Sequence, residues 1–346
     1  TPKTSVKEVS VATLFRMSSA HLFTERAGNG RGLLRFVYDT FLRYDRDLKL
    51  HPWAAESYKV VDPVTVDLKI RDGMKWHDGK PVTAEDAEFT FNYVLKWKPA
   101  RWAGMLAPIK SAEKVGPSTV RVHLKGPSAT FFTVSLAQIT ILPKHIWKDV
   151  PEKYGIKTPD EWNVAKHGNI GSGAFKFDFF KKDVDCHIVA NRDHWTGGPK
   201  LDGIHYIQGS SVEQIKGGME TESIHIIADG ITLPDGKRLA EKPFIDLFVT
   251  NASTIIAFYL DMRRPLFQDL ALRQAMYHAT PKQKVLDIVL GGGGMVARRT
   301  PIPPVFDEWI PSDIPADEYD IEKSKKILAD AGYSWDRSGN LIMRKG

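Results

Sequence analysis

The stretch Trp76-His77-Asp78-Gly79-Lys80-Pro81-Val82-Thr83-Ala84-Glu85-Asp86 decides how this chain is read. Asp78-Gly79 supplies a residue that tolerates positive φ, and Pro81 ends any strand pairing. Thr83 and Asp86 form a capping-box-like pair ahead of an apolar-periodic run. The prediction is a turn followed by the start of a helix. In that helix Ala84, Ala87, Phe91, Val94 and Leu95 share one face at helical spacing, and Pro99 stops the run.

Strands are expected on both sides of the helix. Residues 64–70 alternate with period two, as do residues 119–124 after the Gly116-Pro117 turn. Upstream, residues 9–14 read as a first strand and 33–41 as a helix. Downstream, residues 142–147 read as a turn into a short helix, and small residues concentrate over 168–175. A domain crossover is expected there, since glycine takes unusual backbone angles at low cost. Residues 175–179 and 186–190 form a hairpin-like pair, 191–199 a long turn, and 203–207 a returning strand. From Phe244 the pattern changes. Residues 254–261 are a continuous apolar run suited to a buried strand. Helices follow over 270–279, after Thr280-Pro281 as far as Gly291, and over 321–331 between an Asp320 cap and Gly332. Alternation of strands and helices makes the class mixed α/β.

At 346 residues the chain exceeds the ~250–300 at which single cores stop growing, so more than one domain is expected. Hydrophobic residues at 42% and charged residues at 26% argue against long disorder. No apolar run approaches the ~18 residues of a spanning helix. The net charge of +6 comes from scattered Lys and Arg not interleaved with aromatics, which argues against nucleic acid. A mild positive field favours an anionic ligand or an acidic surface. Cys186 is the single cysteine, so an internal disulfide and a cysteine-based metal cluster are excluded. Its strand-like surroundings read as those of a buried small hydrophobe. The eleven histidines form neither H-x3-H nor HExxH, and no metal or other cofactor is expected. Gly291 to Gly294 lack the Lys-Ser or Lys-Thr of a phosphate loop and read as a helix-ending loop. The nearest approach to a hydrolase is the paired acids Asp183 with Asp185 and Glu85 with Asp86, which also read as solvated or dipole-complementing groups.

Six segments in order carry a resemblance: WAAES at 53–57, RDGMKWHDGKPVTAED at 71–86, GSGAF at 171–175, NRDHWTGGP at 191–199, LFQDLALRQA at 266–275 and YDIEKSKKILADAGY at 319–333. Together they resemble the family 5 extracellular solute-binding proteins of ABC transporters, which include the dipeptide, oligopeptide and nickel receptors. The resemblance implies an α/β, periplasmic-binding-protein-like (class II type) two-lobed fold with an additional small domain. On that pattern residues 1–45 and 165–245 form domain I, 46–164 domain II, and 246–346 an incomplete domain III. The family's C-terminal part, including the acid that holds a peptide's amine, falls beyond Gly346.

The implied function is capture of a small polar, peptide-like solute in an interlobe cleft and its delivery to the membrane subunits of an ABC permease. The alternatives are an oligosaccharide, opine or metal-chelate ligand, or a sensory or chaperone role. A monomer that binds no nucleic acid, periplasmic or tethered outside the membrane, is expected, and it is expected not to be an enzyme.

The resemblance also selects site residues. Trp97, Arg101 and Trp102 follow the small domain's helix, where a guanidinium beside indoles either clamps a ligand or packs as an ordinary aromatic contact. Gln138 offers amide hydrogen bonds or sits at a helix end. Met17, His21 and Phe23 follow the first strand, where the family's first domain presents side chains to ligand. Asp229 lies near the expected hinge-side wall. His77 and Asp78 are expected to touch no ligand.

Overall fold

The computed structural model describes residues 7–14, 17–25, 28–45, 47–164, 169–249, 255–314 and 318–342. They fall into two compact units, Thr1–Gly230 and Ile231–Gly346. In unit 1 the elements run β1 (Glu8–Thr13), α1 (Gly28–Val37), β2 (Leu42–Tyr44), β3 (Leu50–Pro52), β4 (Ala55–Asp62), β5 (Thr65–Ile70), α2 (Ala84–Trp97), β6 (Ile109–Lys114), β7 (Thr119–Leu124), β8 (Phe175–Lys181), β9 (Asp185–Ala190), β10 (Gly203–Gln208) and β11 (Ile226–Ile227).

A four-stranded antiparallel sheet, in the order β4-β5-β7-β6, lies wholly within residues 55–124. The alternation in its strands works as the sequence implies: Val120 and Val122 of β7, and Val66, Leu68 and Ile70 of β5, are buried. Helix α2 packs on this sheet with Ala84, Ala87, Phe91 and Val94 buried, while Leu95 is half-buried. Its start is fixed by side chains. One Asp86 carboxylate oxygen accepts from the Thr83 amide at 2.9 Å and from its hydroxyl at 3.1 Å, and the other accepts from the Lys144 amide at 2.9 Å. Its end is set by Lys98, which adopts φ 46° before Pro99.

The motif ahead of α2 is a tighter turn than expected. Gly79 takes φ +87°, and Lys75 and Pro81 face each other as an isolated bridge, so Pro81 does not end the pairing. Proline lacks a donor, but here its neighbours make the bonds: Trp76 N–H donates to Lys80 O at 2.8 Å and Val82 N–H to Met74 O at 2.9 Å.

The second sheet, ordered β11-β1-β10-β9-β8, joins residues far apart in the chain. Strand β1 runs parallel to both β10 and β11, whereas β8, β9 and β10 are antiparallel. One face carries Val9, Val11, Ile204 and Tyr206 beside Phe36 and Phe175, around an apolar hollow of about 460 Å³. Cys186 is fully buried on β9, and burial pushes its thiol up to about 12, which leaves it protonated and inert.

Between the two sheets the chain passes close to the end of α1. A Cβ on Gly171 would lie 2.0 Å from the Val37 carbonyl oxygen and one on Gly173 would lie 2.4 Å from that of Phe36, so both positions need glycine for close backbone approach.

Unit 2 holds helices Leu270–Ala279, Lys282–Leu290 and Ile321–Asp330 and a two-stranded ribbon, Ser334–Trp335 with Leu341–Ile342. Leu272, Ala275, Leu328 and Tyr333 form its small core. The buried strand expected over 254–261 does not form over its described residues. Thr254 lies outside the described residues, and residues 255–260 belong to no strand, with Ile256 80%, Phe258 82% and Tyr259 90% exposed. Apolar, β-favouring sequence makes a strand when a neighbour pairs with it, and no described strand does so here.

Candidate functional site

The loop 17–25 after β1 is built by its own polar groups. The Ser19 hydroxyl accepts from the His21 amide at 2.9 Å, and the amides of Thr24 and Glu25 donate to His21 O at 3.2 and 3.0 Å, closing a helical turn. Glu25 is fully buried; its carboxylate accepts from the Ser19 amide at 2.8 Å and from the Ser18 hydroxyl at 3.2 Å. A buried carboxylate needs such donors, and here they hold the loop's shape.

His21 is the centre of this loop. Its Nδ1 accepts from the Phe23 amide at 3.0 Å, which leaves Nε2 to donate to the Pro159 carbonyl at 3.0 Å. Burial lowers the His21 pKa to about 4, against the opposing pull of the Pro159 hydrogen bond. Around it the rings interlock. Phe23 meets Trp102 edge-on at 4.9 Å and Trp147 at 5.1 Å, while Trp147 meets Trp162 at 4.7 Å. Such offset and edge contacts are the favoured aromatic geometry and stiffen the wall.

The loop opens on a cavity of about 370 Å³. Its rim is polar: Ser18, Ser19, Thr24, Asp160, Asn163 and Lys182 all line it, with His21 and Trp162 deeper. One acid and one base on the same rim suit a solute carrying both charges.

Sequence and structure divide over the eight selected residues. Met17, His21, Phe23 and Trp102 are buried, and Arg101 donates from Nη1 to Leu22 O, so these five come together at the loop. Of the eight, His21 is the one that lines the cavity. Trp97 joins the edge of the aromatic network through Tyr93 at 6.3 Å. Gln138 is half-buried just after the π-helical turn Phe131–Leu136. Asp229 closes the end of β1, accepting from the Thr13 hydroxyl at 2.7 Å and the Leu14 amide at 2.9 Å. The rim residues Asp160, Asn163 and Lys182 escaped sequence reasoning. The turn-forming Thr158-Pro159 pair ahead of Asp160 is a cue to look there, and Lys182 sits at the hairpin tip.

Three of the four paired acids are engaged elsewhere, while Asp183 lies beside loop 17–25, its amide donating to Met17 O at 3.2 Å. Glu85 ion-pairs with Lys114 at 3.0 Å and Lys144 at 3.5 Å, Asp86 caps α2, and Asp185 meets His205 at 3.0 Å. Ser172, Asp39 and His194 do gather in the interior, but Asp39 stands between the others: it accepts from Ser172 Oγ at 2.8 Å and faces His194 Nε2 at 3.7 Å. A nucleophilic serine needs the histidine beside its hydroxyl, which this order does not give. Among the described residues no group of three or more His, Cys, Asp or Glu side chains is placed to hold a metal ion. No helix among them is long and apolar enough to cross a membrane.

The two sheets with this loop define an α/β protein of the periplasmic-binding-protein-like class. The chain belongs to the bacterial extracellular solute-binding proteins, family 5, whose middle region matches residues 49–343. It is 31% identical over 314 residues to the oligopeptide-binding protein AppA of Bacillus subtilis, covering 89% of this chain and 56% of that protein. It is 25% identical over 320 residues to heme-binding protein A of Haemophilus influenzae, covering 86% and 56%. The structure of Bacillus subtilis AppA in complex with a nonapeptide superposes with a TM-score of 0.81 at 28% identity, over 97% of this chain and 66% of that one. NikZ of Campylobacter jejuni in complex with Ni(L-His) gives the same TM-score at 21% identity over 98% and 66%, a likeness of fold. The chain thus spans just over half the length of the curated relatives it matches.

Proposed function

We propose that this chain is the solute-capturing part of an extracytoplasmic receptor that takes up a peptide-like solute and delivers it to the membrane subunits of an ABC permease. The observation that carries this reading is the 31% identity to an oligopeptide-binding protein across 89% of the chain. The cavity beside loop 17–25 is our candidate for the ligand's contact with unit 1. Asp160 meets an ammonium, Lys182 meets a carboxylate, and the hydroxyls of Ser18, Ser19 and Thr24 serve the amide groups between them. Met17, Phe23, Arg101 and Trp102 act by holding the loop, His21 by shaping the floor, and Trp97, Gln138 and Asp229 as its surroundings. Capture needs no bond to be made or broken, so no catalytic group is assigned, and the receptor acts as a monomer.

The same reading divides the chain into residues 1–45 with 165–245, 46–164, and 246–346. In its support, β1 pairs with β10 and β11 across about 190 residues or more, and β4 to β7 all fall inside 46–164. The compact units part after Gly230, earlier than 245.

Titration calorimetry of the purified chain with peptides of two to nine residues, each with free and with acetylated amino terminus, tests the proposal. Micromolar or tighter binding to free peptides is expected. Asp160→Asn should weaken free peptides about tenfold and leave acetylated ones unchanged. Binding of haem or nickel-histidine with no peptide binding at all would replace the peptide reading.

A further inference from the structure

Four of the six segments that carry the family resemblance meet at one place, around residues 169–175. His77 grips this stretch three times. Its N–H donates to Gly171 O at 2.8 Å, its ring Nδ1 accepts from the Gly171 amide at 3.1 Å, and its Nε2 donates to Gly173 O at 3.0 Å. Because Nδ1 accepts, the ring proton must sit on Nε2, and both nitrogens are used. Asn191 adds a second hold, from Nδ2 to Gly173 O at 3.0 Å and from its amide to Ala174 O at 2.8 Å. Between the glycines, the Ser172 hydroxyl donates to buried Asp39, whose other oxygen accepts from Trp53 Nε1 at 2.7 Å. Gly173 donates to Val37 O at 2.9 Å.

The near end of this stretch reaches the candidate site. Asn169 donates from Nδ2 to Ala20 O at 2.9 Å, in the middle of loop 17–25, and accepts from the Tyr38 hydroxyl. One short segment is therefore tied at one end to the loop that shapes the cavity and in its middle to the turn that starts α2.

We propose that residues 169–175 are a clamped strap coupling the four-stranded-sheet module to loop 17–25, with His77 as its pin. While the pin holds, the loop moves with the module; when the pin opens, the loop loosens although no residue of the cavity has changed. Acid opens the pin, because a proton on Nδ1 removes the acceptor that Gly171 uses. Burial is the main cause that lowers the His77 pKa to about 4; the Gly173 hydrogen bond and Asp39 act against it, and Lys176 and His194 reinforce it. The clamp is thus closed at neutral pH. The strap acts on the loop whichever ligand the cavity takes.

Amide hydrogen exchange on the full chain, read as protection factors, tests the coupling. In His77→Ala the Gly171 amide should lose protection about tenfold or more, the scale of one to two hydrogen bonds. Amides 18–25 should follow severalfold, with β5 and β7 unchanged. Asn169→Ala should open 18–25 and leave Gly171 protected. In the wild type the Gly171 amide should lose protection as pH falls through about 4; the loop amides are not read in this arm, because His21, whose Nδ1 accepts from the Phe23 amide, is held at about 4 as well. The proposal is overturned if Gly171 opens while the loop keeps its protection, or if Asn169→Ala leaves the loop unaffected. Should His77→Ala fail to fold, His77→Gln, which keeps the backbone bond to Gly171 O and loses the ring's hydrogen bonds, decides together with Asn169→Ala.

Discussion

The four-stranded module of unit 1 and the apolar run of unit 2 carry similar sequence and end differently. Val120 and Val122 disappear into the core, whereas Ile256 and Phe258 stand 80% and 82% exposed. The difference is partnership. Strand β7 lies between β5 and β6 and under α2, so every apolar side chain on its inner face finds a neighbour. Residues 255–260 have the composition of a strand and, among the described residues, no strand beside them. Apolar patterning states what a segment can bury, and the rest of the fold decides whether it does.

The sharpest way to break this comparison is to cut one ring from each side. Phe91 is fully buried and stacked on Phe41 at 4.7 Å, so Phe91→Ala should cost unit 1 about 3–5 kcal/mol. Phe258→Ala should change stability by no more than about 0.5 kcal/mol. Urea unfolding followed by tryptophan fluorescence reads Phe91→Ala, since of nine tryptophans Trp309 and Trp335 alone lie in unit 2 and seven lie in unit 1; for Phe258→Ala the readout is amide exchange in the unit 2 helices Leu270–Ala279 and Ile321–Asp330. A large loss from Phe258→Ala would mean that the run is buried in solution as β7 is, and the two regions would not differ.

The second contrast is pH. His21 and His77, both in unit 1, are held at about 4 against an ordinary 6.5. A depressed histidine binds its proton more readily in the unfolded chain, so stability is fully present above about pH 6.5 and declines as pH falls toward 4. Each of the two should withdraw ~3 kcal/mol from unit 1 over that window. Urea midpoints between pH 7 and 4 check this together with the ring-proton resonances of the two histidines. Titration of both rings near 6.5 in the folded protein would remove the effect and the explanation with it.

Legibility followed the same line. Turns, caps and alternation could be read because each depends on neighbours a few residues away: Gly79 at φ +87°, the Thr83–Asp86 pair, and β7 with its expected limits all lie where the sequence implies. His77 was expected to stay clear of ligand, but nothing local to Trp76-His77-Asp78 says that its ring would hold Gly171 and Gly173, more than 90 residues away. The candidate site was half legible. Met17, His21 and Phe23 are legible singly, as are Arg101 and Trp102, but that these two pack against the loop is not, and Asp160 and Lys182 reach the rim from distant turns that no spacing connects.

If local signals do not depend on partnership, a cap in unit 2 should behave as an ordinary one despite that unit's exposed apolar run. Asp320 tests this. Its carboxylate accepts from the Lys323 amide at 2.8 Å at the head of Ile321–Asp330, and its own amide donates to His278 O at 2.9 Å. Asp320→Ala should therefore cost about 1 kcal/mol, the usual worth of a side-chain N-cap, and Asp320→Asn a few tenths. Exchange of the Lys323 amide should rise by the matching factor, about fivefold, while Leu272 and Ala275 across the small core stay protected. If the whole of unit 2 lost protection instead, its helices would depend on that cap for their packing. The division between locally specified and partner-specified structure would then fail in the region where it is drawn most sharply.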